Sequence, residues 1–168
     1  VLAGYGLNCE DETKRAFVLA GAKADIVHVN DLAANKKMLR RYKILAVPGG
    51  FSYGDDTGSG KAYASKLKNH LRAELDRFVD GDHLVIGICN GFQILTNLGL
   101  LPGALLANTS ARYSDRWVDL ETSGTSPWFR GITSISLPIA HGEGRYFADA
   151  RTLSALHREN TIAARYTK

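Results

Sequence analysis

The chain has 168 residues, 45% of them apolar and 23% charged, which are ordinary values for a globular protein with one core. Its net charge of +4 comes from 21 basic residues against 17 acidic ones, scattered rather than gathered into a stripe with interleaved aromatics, which argues against a nucleic-acid surface. Two cysteines without CxxC spacing argue against a disulfide scaffold and a zinc site, no apolar run approaches the ~20 residues of a membrane span, and a reducing cytoplasm is the expected compartment.

In chain order, Val1 to Tyr5 reads as the end of a strand, followed by the loop Gly6-Leu7-Asn8-Cys9. Asp11 to Ala20 reads as a helix, acidic in its first turn and closed by Gly21. Ala24 to Val29 is expected as a strand, then Asp31 to Arg41 as a helix capped by Asn30 or Asp31. Ile44 to Val47 has the continuous apolar character of a covered parallel strand and stops at Pro48-Gly49-Gly50. Gly60 to Val79 carries Leu67, Leu71, Leu75 and Phe78 on one helical stripe. Leu84 to Ile88 is the next strand, and Gly91 to Leu98 the helix after it. Beyond a turn at Leu100 to Gly103, strands are expected at Arg116 to Glu121 and Ile135 to Ile139. A helix at Leu153 to Glu159 and a strand at Thr161 to Tyr166 complete the order. The alternation predicts an α/β fold: a doubly wound, mainly parallel sheet with helices on both faces and a small β insertion.

Chemistry concentrates at two strand ends. Gly87-Ile88-Cys89-Asn90-Gly91 puts a cysteine at a strand-to-helix turn between glycines, the arrangement that presents a nucleophile at the end of a sheet strand. The helix N-terminus that follows favours thiolate over thiol. If the strand ending at Pro48 is a neighbour, the backbone N–H groups of Gly50 and Asn90 can converge on one oxygen, as acyl transfer to sulfur requires. Gly58-Ser59-Gly60-Lys61 resembles a phosphate loop, but Asp55 and Ala62 stand where that pattern needs a glycine and a hydroxyl, so nucleotide binding is rejected. A third cluster, His141-Gly142-Glu143-Gly144-Arg145, follows a strand. It offers either a base and orienter for Cys89 or substrate and structural hydrogen bonds, and spacing alone does not separate the two.

Four segments together carry a resemblance: Pro48 to Asp55, Gly87 to Leu95, Gly99 to Leu105 and Pro138 to Arg145, with Gly6-Leu7-Asn8-Cys9 in support. They are similar to class I (triad) glutamine amidotransferases, and more narrowly to the glutaminase subunits of phosphoribosylformylglycinamidine synthases of purine biosynthesis. The resemblance implies a flavodoxin-like amidotransferase fold and a single domain over 1–168, trimmed at both ends. It implies that Cys89 attacks the glutamine side-chain amide to give a thioester, ammonia and then glutamate. Gly50 and Asn90 would supply the oxyanion N–H groups. Gly49, Phe51, Gln93, His141 and Gly142 would contact substrate, with Glu143 and Arg145 beside them. No cofactor or metal is implied on this chain. ATP and magnesium would sit on a large synthase subunit that receives the ammonia, and a small third subunit would bridge the two.

The chain departs from that pattern in one respect: the family's His-Pro-Glu segment has no counterpart in it. The triad histidine and glutamate are therefore not carried over to His141 and Glu143. The expected explanation is a fragment of a longer chain. The alternative is a catalytically silent amidotransferase-like scaffold or regulatory subunit.

Overall fold

Four short strands in two parallel pairs form the part of the fold that carries the cysteine turn. The computed structural model describes residues 1–124 and 126–167, and the chain divides into two compact units, Val1–Leu101 and Pro102–Lys168. In the first unit, β1 (Leu2–Ala3) pairs parallel with β2 (Val27–His28), and β3 (Ile44–Val47) pairs parallel with β4 (Leu84–Gly87), Val47 lying opposite Gly87. β1 lies beside β3. The loops leaving those two strands are tied together, Cys9 N–H donating to the Gly49 carbonyl and Phe51 N–H to that of Gly6. Hydrogen-bonded ladders run within each pair, and with β1 beside β3 the two pairs follow the order β2-β1-β3-β4 of a doubly wound fold, which gathers ligand-binding loops at the carboxyl ends of its strands.

Helices α1 (Glu10–Leu19), α2 (Val29–Ala34), α3 (Lys61–Asp80) and α4 (Asn90–Leu98) belong to this unit. Glu10, Asp11 and Glu12 complement the positive end of α1. Along α3 the stripe of Tyr63, Leu67, Leu71, Leu75 and Phe78 is buried, and it joins Leu2, Leu45, Val47, Ile94 and Leu98 in one core. Arg72 of α3 donates to the Leu98 carbonyl at 2.7 Å, satisfying a free acceptor at the end of α4.

Several boundaries differ from the sequence reading, each for a local reason. The first strand stops at Ala3 because Gly4 and Tyr5 take positive φ, +109° and +55°. The expected strand 24–29 shrinks to Val27–His28 because Val29 already opens α2, with the His28 ring rather than Asn30 or Asp31 as its cap. Asn35 leaves helical geometry (φ −128°, ψ 76°), so the expected helix 31–41 becomes α2 followed by a 3-10 turn, Lys36–Arg41.

The second unit is antiparallel. β6 (Ser114–Thr122) runs between β7 (Ser134–His141) and β9 (Ala164–Tyr166), and Val118 is its buried centre. Two further strands, β5 (Ala104–Leu106) and β8 (Arg145–Phe147), pair with Leu106 opposite Arg145, where the sequence shows only a turn and a loop. Asp149 caps α5 (Ala150–Arg158) by accepting from Thr152 N–H at 2.7 Å.

Candidate active site

Cys89 stands between β4 and α4, as the N-cap of α4, in a conformation that L-residues avoid, φ +52° and ψ −111°, and it is exposed. Backbone strain of this kind costs about 1–3 kcal/mol and persists only where the surroundings over-determine it. Here they do. Ile88 N–H donates to the Val47 carbonyl, Gly91 N–H to that of Ile88, and Phe92 and Gln93 N–H to that of Cys89. At Gly91 the start of α4 lies so close to β3 that an added Cβ would fall 1.9 Å from the Val47 carbonyl oxygen. The strand, the turn and the helix thus leave the cysteine one place to be, which is the geometry of a nucleophile elbow.

The loop after β3 supplies the facing wall. Gly49 and Gly50 are buried, and a Cβ built on Gly49 would touch Cys89 Cβ at 3.4 Å and Cys9 Sγ at 3.7 Å. Both cysteines therefore flank this glycine, although they lie far apart in the chain. Burial, reinforced by Glu12, Cys89 and Glu10, pushes the Cys9 thiol above its ordinary pKa and keeps it protonated. Gly50 takes φ +144°, with the Gly6 carbonyl and Asn8 N–H packed where a side chain would stand. Among the described residues, neither Gly50 N–H nor Asn90 N–H donates a hydrogen bond. They are the two donors expected to steady an oxyanion.

Asn90 is 1% exposed, and its carboxamide makes three hydrogen bonds. Its Oδ1 accepts from Ser52 N–H at 3.1 Å, and its Nδ2 donates to Asp55 Oδ1 at 3.1 Å and Gln93 Oε1 at 2.9 Å. Gln93 is buried, so the expected substrate contact is a side chain turned into this network. Phe51 is 56% exposed beside it. Ser52 Oγ is buried without a hydrogen-bond partner among the described residues.

The remaining expected residues lie in the second unit. His141 ends β7, and its Nδ1 lies 3.0 Å from Asn108 Oδ1. Asn108 also accepts from Gly144 N–H and donates through Nδ2 to the carbonyls of Arg112 and His141, so its oxygen faces the ring. An oxygen acceptor at this place assigns a proton to Nδ1. The ring covers Gly144, where an added Cβ would fall 2.2 Å from it. The Gly142 carbonyl accepts from Asn108 N–H, and Arg145 Nε donates to the Ala107 carbonyl. Glu143 is half-buried in the same turn. Asn108 carries no periodic or motif signal, and sequence reasoning missed it. Among the described residues no three His, Cys, Asp or Glu side chains cluster to hold a metal, and no helix is long and apolar enough to cross a membrane.

The family model of CobB/CobQ-like glutamine amidotransferase domains matches residues 1–168. The phosphoribosylformylglycinamidine synthase subunit PurQ of Methanococcus maripaludis strain C5 is 50% identical over 177 aligned positions, covering 99% of this chain and 66% of that protein. The subunit of the same name from Treponema denticola is 38% identical, covering 99% and 70%, and one from Thermus thermophilus is 38% identical, covering 96% and 69%. A solved structure of PurLQS from Thermotoga maritima superposes with a TM-score of 0.78 at 32% identity, covering 99% of this chain and 73% of that one. The chain thus spans just under two thirds of its Methanococcus relative.

Proposed function

This chain belongs to the CobB/CobQ-like glutamine amidotransferase domain family, within its PurQ branch, and on that premise we propose that it is the glutamine-hydrolysing subunit of a phosphoribosylformylglycinamidine synthase. The observation that carries the reading is Cys89, strained and exposed at the β4–α4 turn and followed by an unbonded Asn90 N–H. In the proposed reaction the Cys89 thiolate bonds to the side-chain carbonyl carbon of glutamine. Gly50 and Asn90 N–H groups hold the oxyanion. The C–N bond then breaks, the leaving nitrogen departs as ammonia with the proton given up by the Cys89 thiol, and water cleaves the thioester, its oxygen going to glutamate and a proton returning to the sulfur. Ammonia passes to a large synthase subunit carrying ATP and magnesium, with a small subunit bridging the two, and the chain itself needs no cofactor. The PurLQS structure from Thermotoga maritima supports an assembly of this kind.

We assign no triad role to His141 or Glu143. An amide oxygen can orient a triad histidine as a carboxylate does, so the contact of His141 Nδ1 with Asn108 Oδ1 is not the ground for this. The ground is the resemblance, in which His141-Gly142-Glu143 matches the substrate-side segment and the triad pair comes from a His-Pro-Glu segment that this sequence does not contain. His141 and Gly142 are assigned to substrate contact, with Glu143 and Arg145 shaping their turn.

The test is labelling with an electrophilic glutamine analogue, alongside Cys89→Ser in the complex. Cys89 should take the label while Cys9 does not, and Cys89→Ser should abolish glutamine-dependent synthesis while ammonia-dependent synthesis persists. A label on Cys9, or glutamine-dependent synthesis by the variant, would overturn the reading. A wild-type chain that takes no label would favour a silent scaffold.

A further inference from the structure

Three consecutive residues, Tyr53, Gly54 and Asp55, have φ of +54°, +64° and +55°. For the two that are not glycine, left-handed backbone costs roughly 1–2 kcal/mol each. The turn is held all the same. Tyr53 stacks on Tyr5 with centroids 4.8 Å apart, its N–H donates to the Tyr5 carbonyl, and Gly54 N–H donates to that of Phe51. Its consequence is to aim Asp55 inward, where Oδ1 accepts from Asn90 Nδ2 at 3.1 Å and from Gly60 N–H at 3.4 Å. The carboxylate that spoils a phosphate loop is therefore committed to the residue that follows Cys89.

We propose that Asp55 is a positioning residue for the cysteine turn. By holding the Asn90 carboxamide it fixes the main chain of the same residue, and with it the N–H aimed at the developing oxyanion. The proposal rests on Cys89 being the nucleophile. Ser52, Asp55 and Gln93 hold three of the four hydrogen-bonding positions of the Asn90 carboxamide, both N–H donors among them. Removing the Asp55 acceptor would leave a buried amide N–H unpaired, a situation that side chains re-orient to escape.

Two substitutions separate the acceptor from the backbone. Asp55→Gly keeps the left-handed turn and removes the oxygen, whereas Asp55→Asn keeps both, because asparagine tolerates this conformation and its Oδ1 accepts. Glutamine-dependent rates are measured in the complex and normalised to ammonia-dependent synthesis. We expect Asp55→Gly to lower kcat for glutamine by about 10- to 100-fold with KM within about threefold, less than the ~10²–10³ lost when an oxyanion donor is removed outright. Asp55→Asn should keep at least about a third of wild-type kcat. Amide hydrogen exchange at Ser52, whose N–H is held by Asn90, gives a readout independent of turnover. It should speed at least about tenfold in Asp55→Gly and not in Asp55→Asn. Wild-type kcat in Asp55→Gly, equal losses in both variants, or a change confined to KM would overturn the proposal. So would unchanged Ser52 exchange in Asp55→Gly, whether or not the protein turns over glutamine. Failure of the Cys89 assignment would show separately, as an unlabelled wild type.

Discussion

Gly91→Ala tests the packing that holds Cys89 in place. The new Cβ would lie 1.9 Å from the Val47 carbonyl oxygen, 2.6 Å from its carbon and 2.9 Å from the Pro48 oxygen. All three are backbone atoms of β3 and its exit, so no side-chain rotation relieves the clash. Reaching ordinary contact at 3.4 Å asks for about 1.5 Å of movement between the start of α4 and the sheet. Overpacking of this sort costs typically 1–3 kcal/mol, and with rigid neighbours the expected loss is about 3 kcal/mol, a large share of the ~5–15 kcal/mol that holds a domain together. Gly49→Ala is the internal control, because its Cβ meets nothing nearer than 3.4 Å and Gly49 has no left-handed φ. Its stability should stay within about 0.5 kcal/mol of wild type. Urea titrations followed by far-ultraviolet circular dichroism measure both, and the midpoint should fall for Gly91→Ala with an unchanged slope. Where the Gly91 variant remains folded, displacement of the turn by an ångström or more should slow labelling of Cys89 about 10²-fold. Equal urea midpoints for the two variants would refute the reasoning.

Three further outcomes are expected. Ser52→Ala removes a buried hydroxyl without a partner among the described residues, so its melting temperature should equal or exceed wild type, and a marked fall would mean the hydroxyl is bonded after all. Asn108→Leu deletes the acceptor that orients His141, so nitrogen NMR should show the ring passing from a single Nδ1–H tautomer to a mixture, and a retained tautomer would rule out the assignment. Tyr63 is fully buried and donates to the Ala3 carbonyl at 3.1 Å, and burial pushes its phenol far above the ordinary value of 10.0. The folded protein keeps a proton that the unfolded chain releases above about pH 10, so stability falls as pH rises past that point. Tyr63→Phe should flatten that decline in urea midpoints, at a cost of about 0.5–1.5 kcal/mol near neutrality for the lost hydrogen bond. An unchanged alkaline slope would count against it.

The legible parts of this chain were those with a period or a fixed turn chemistry. The Leu67, Leu71, Leu75 and Phe78 stripe is buried as its spacing requires, and β3 has the bounds read from its apolar run. The glycines around Cys89 announced the turn because only residues without side chains let α4 approach the sheet so closely. What escaped was set by long-range pairing. β5 and β8 are three residues each and gain their extended form from one another across some forty positions. Lys36 to Arg41 is composed of good helix formers, yet Asn35 interrupts them. Asp55 and Asn108 act through carboxylate and amide bonds to partners more than thirty positions away, and nothing in spacing or composition reports such a bond.

The carboxamide of Asn90 bridges segments 35 and 38 residues apart in the chain. Two turns tied by a single group share one opening event, so a fluctuation that frees the stretch around Ser52 and Asp55 releases the start of α4 with it. The side chains at 55, 90 and 93 consequently form one heritable unit, which position 52 joins through its backbone alone. A drift at any of the three strands the polarity of the others, and related chains are expected to keep or exchange them together.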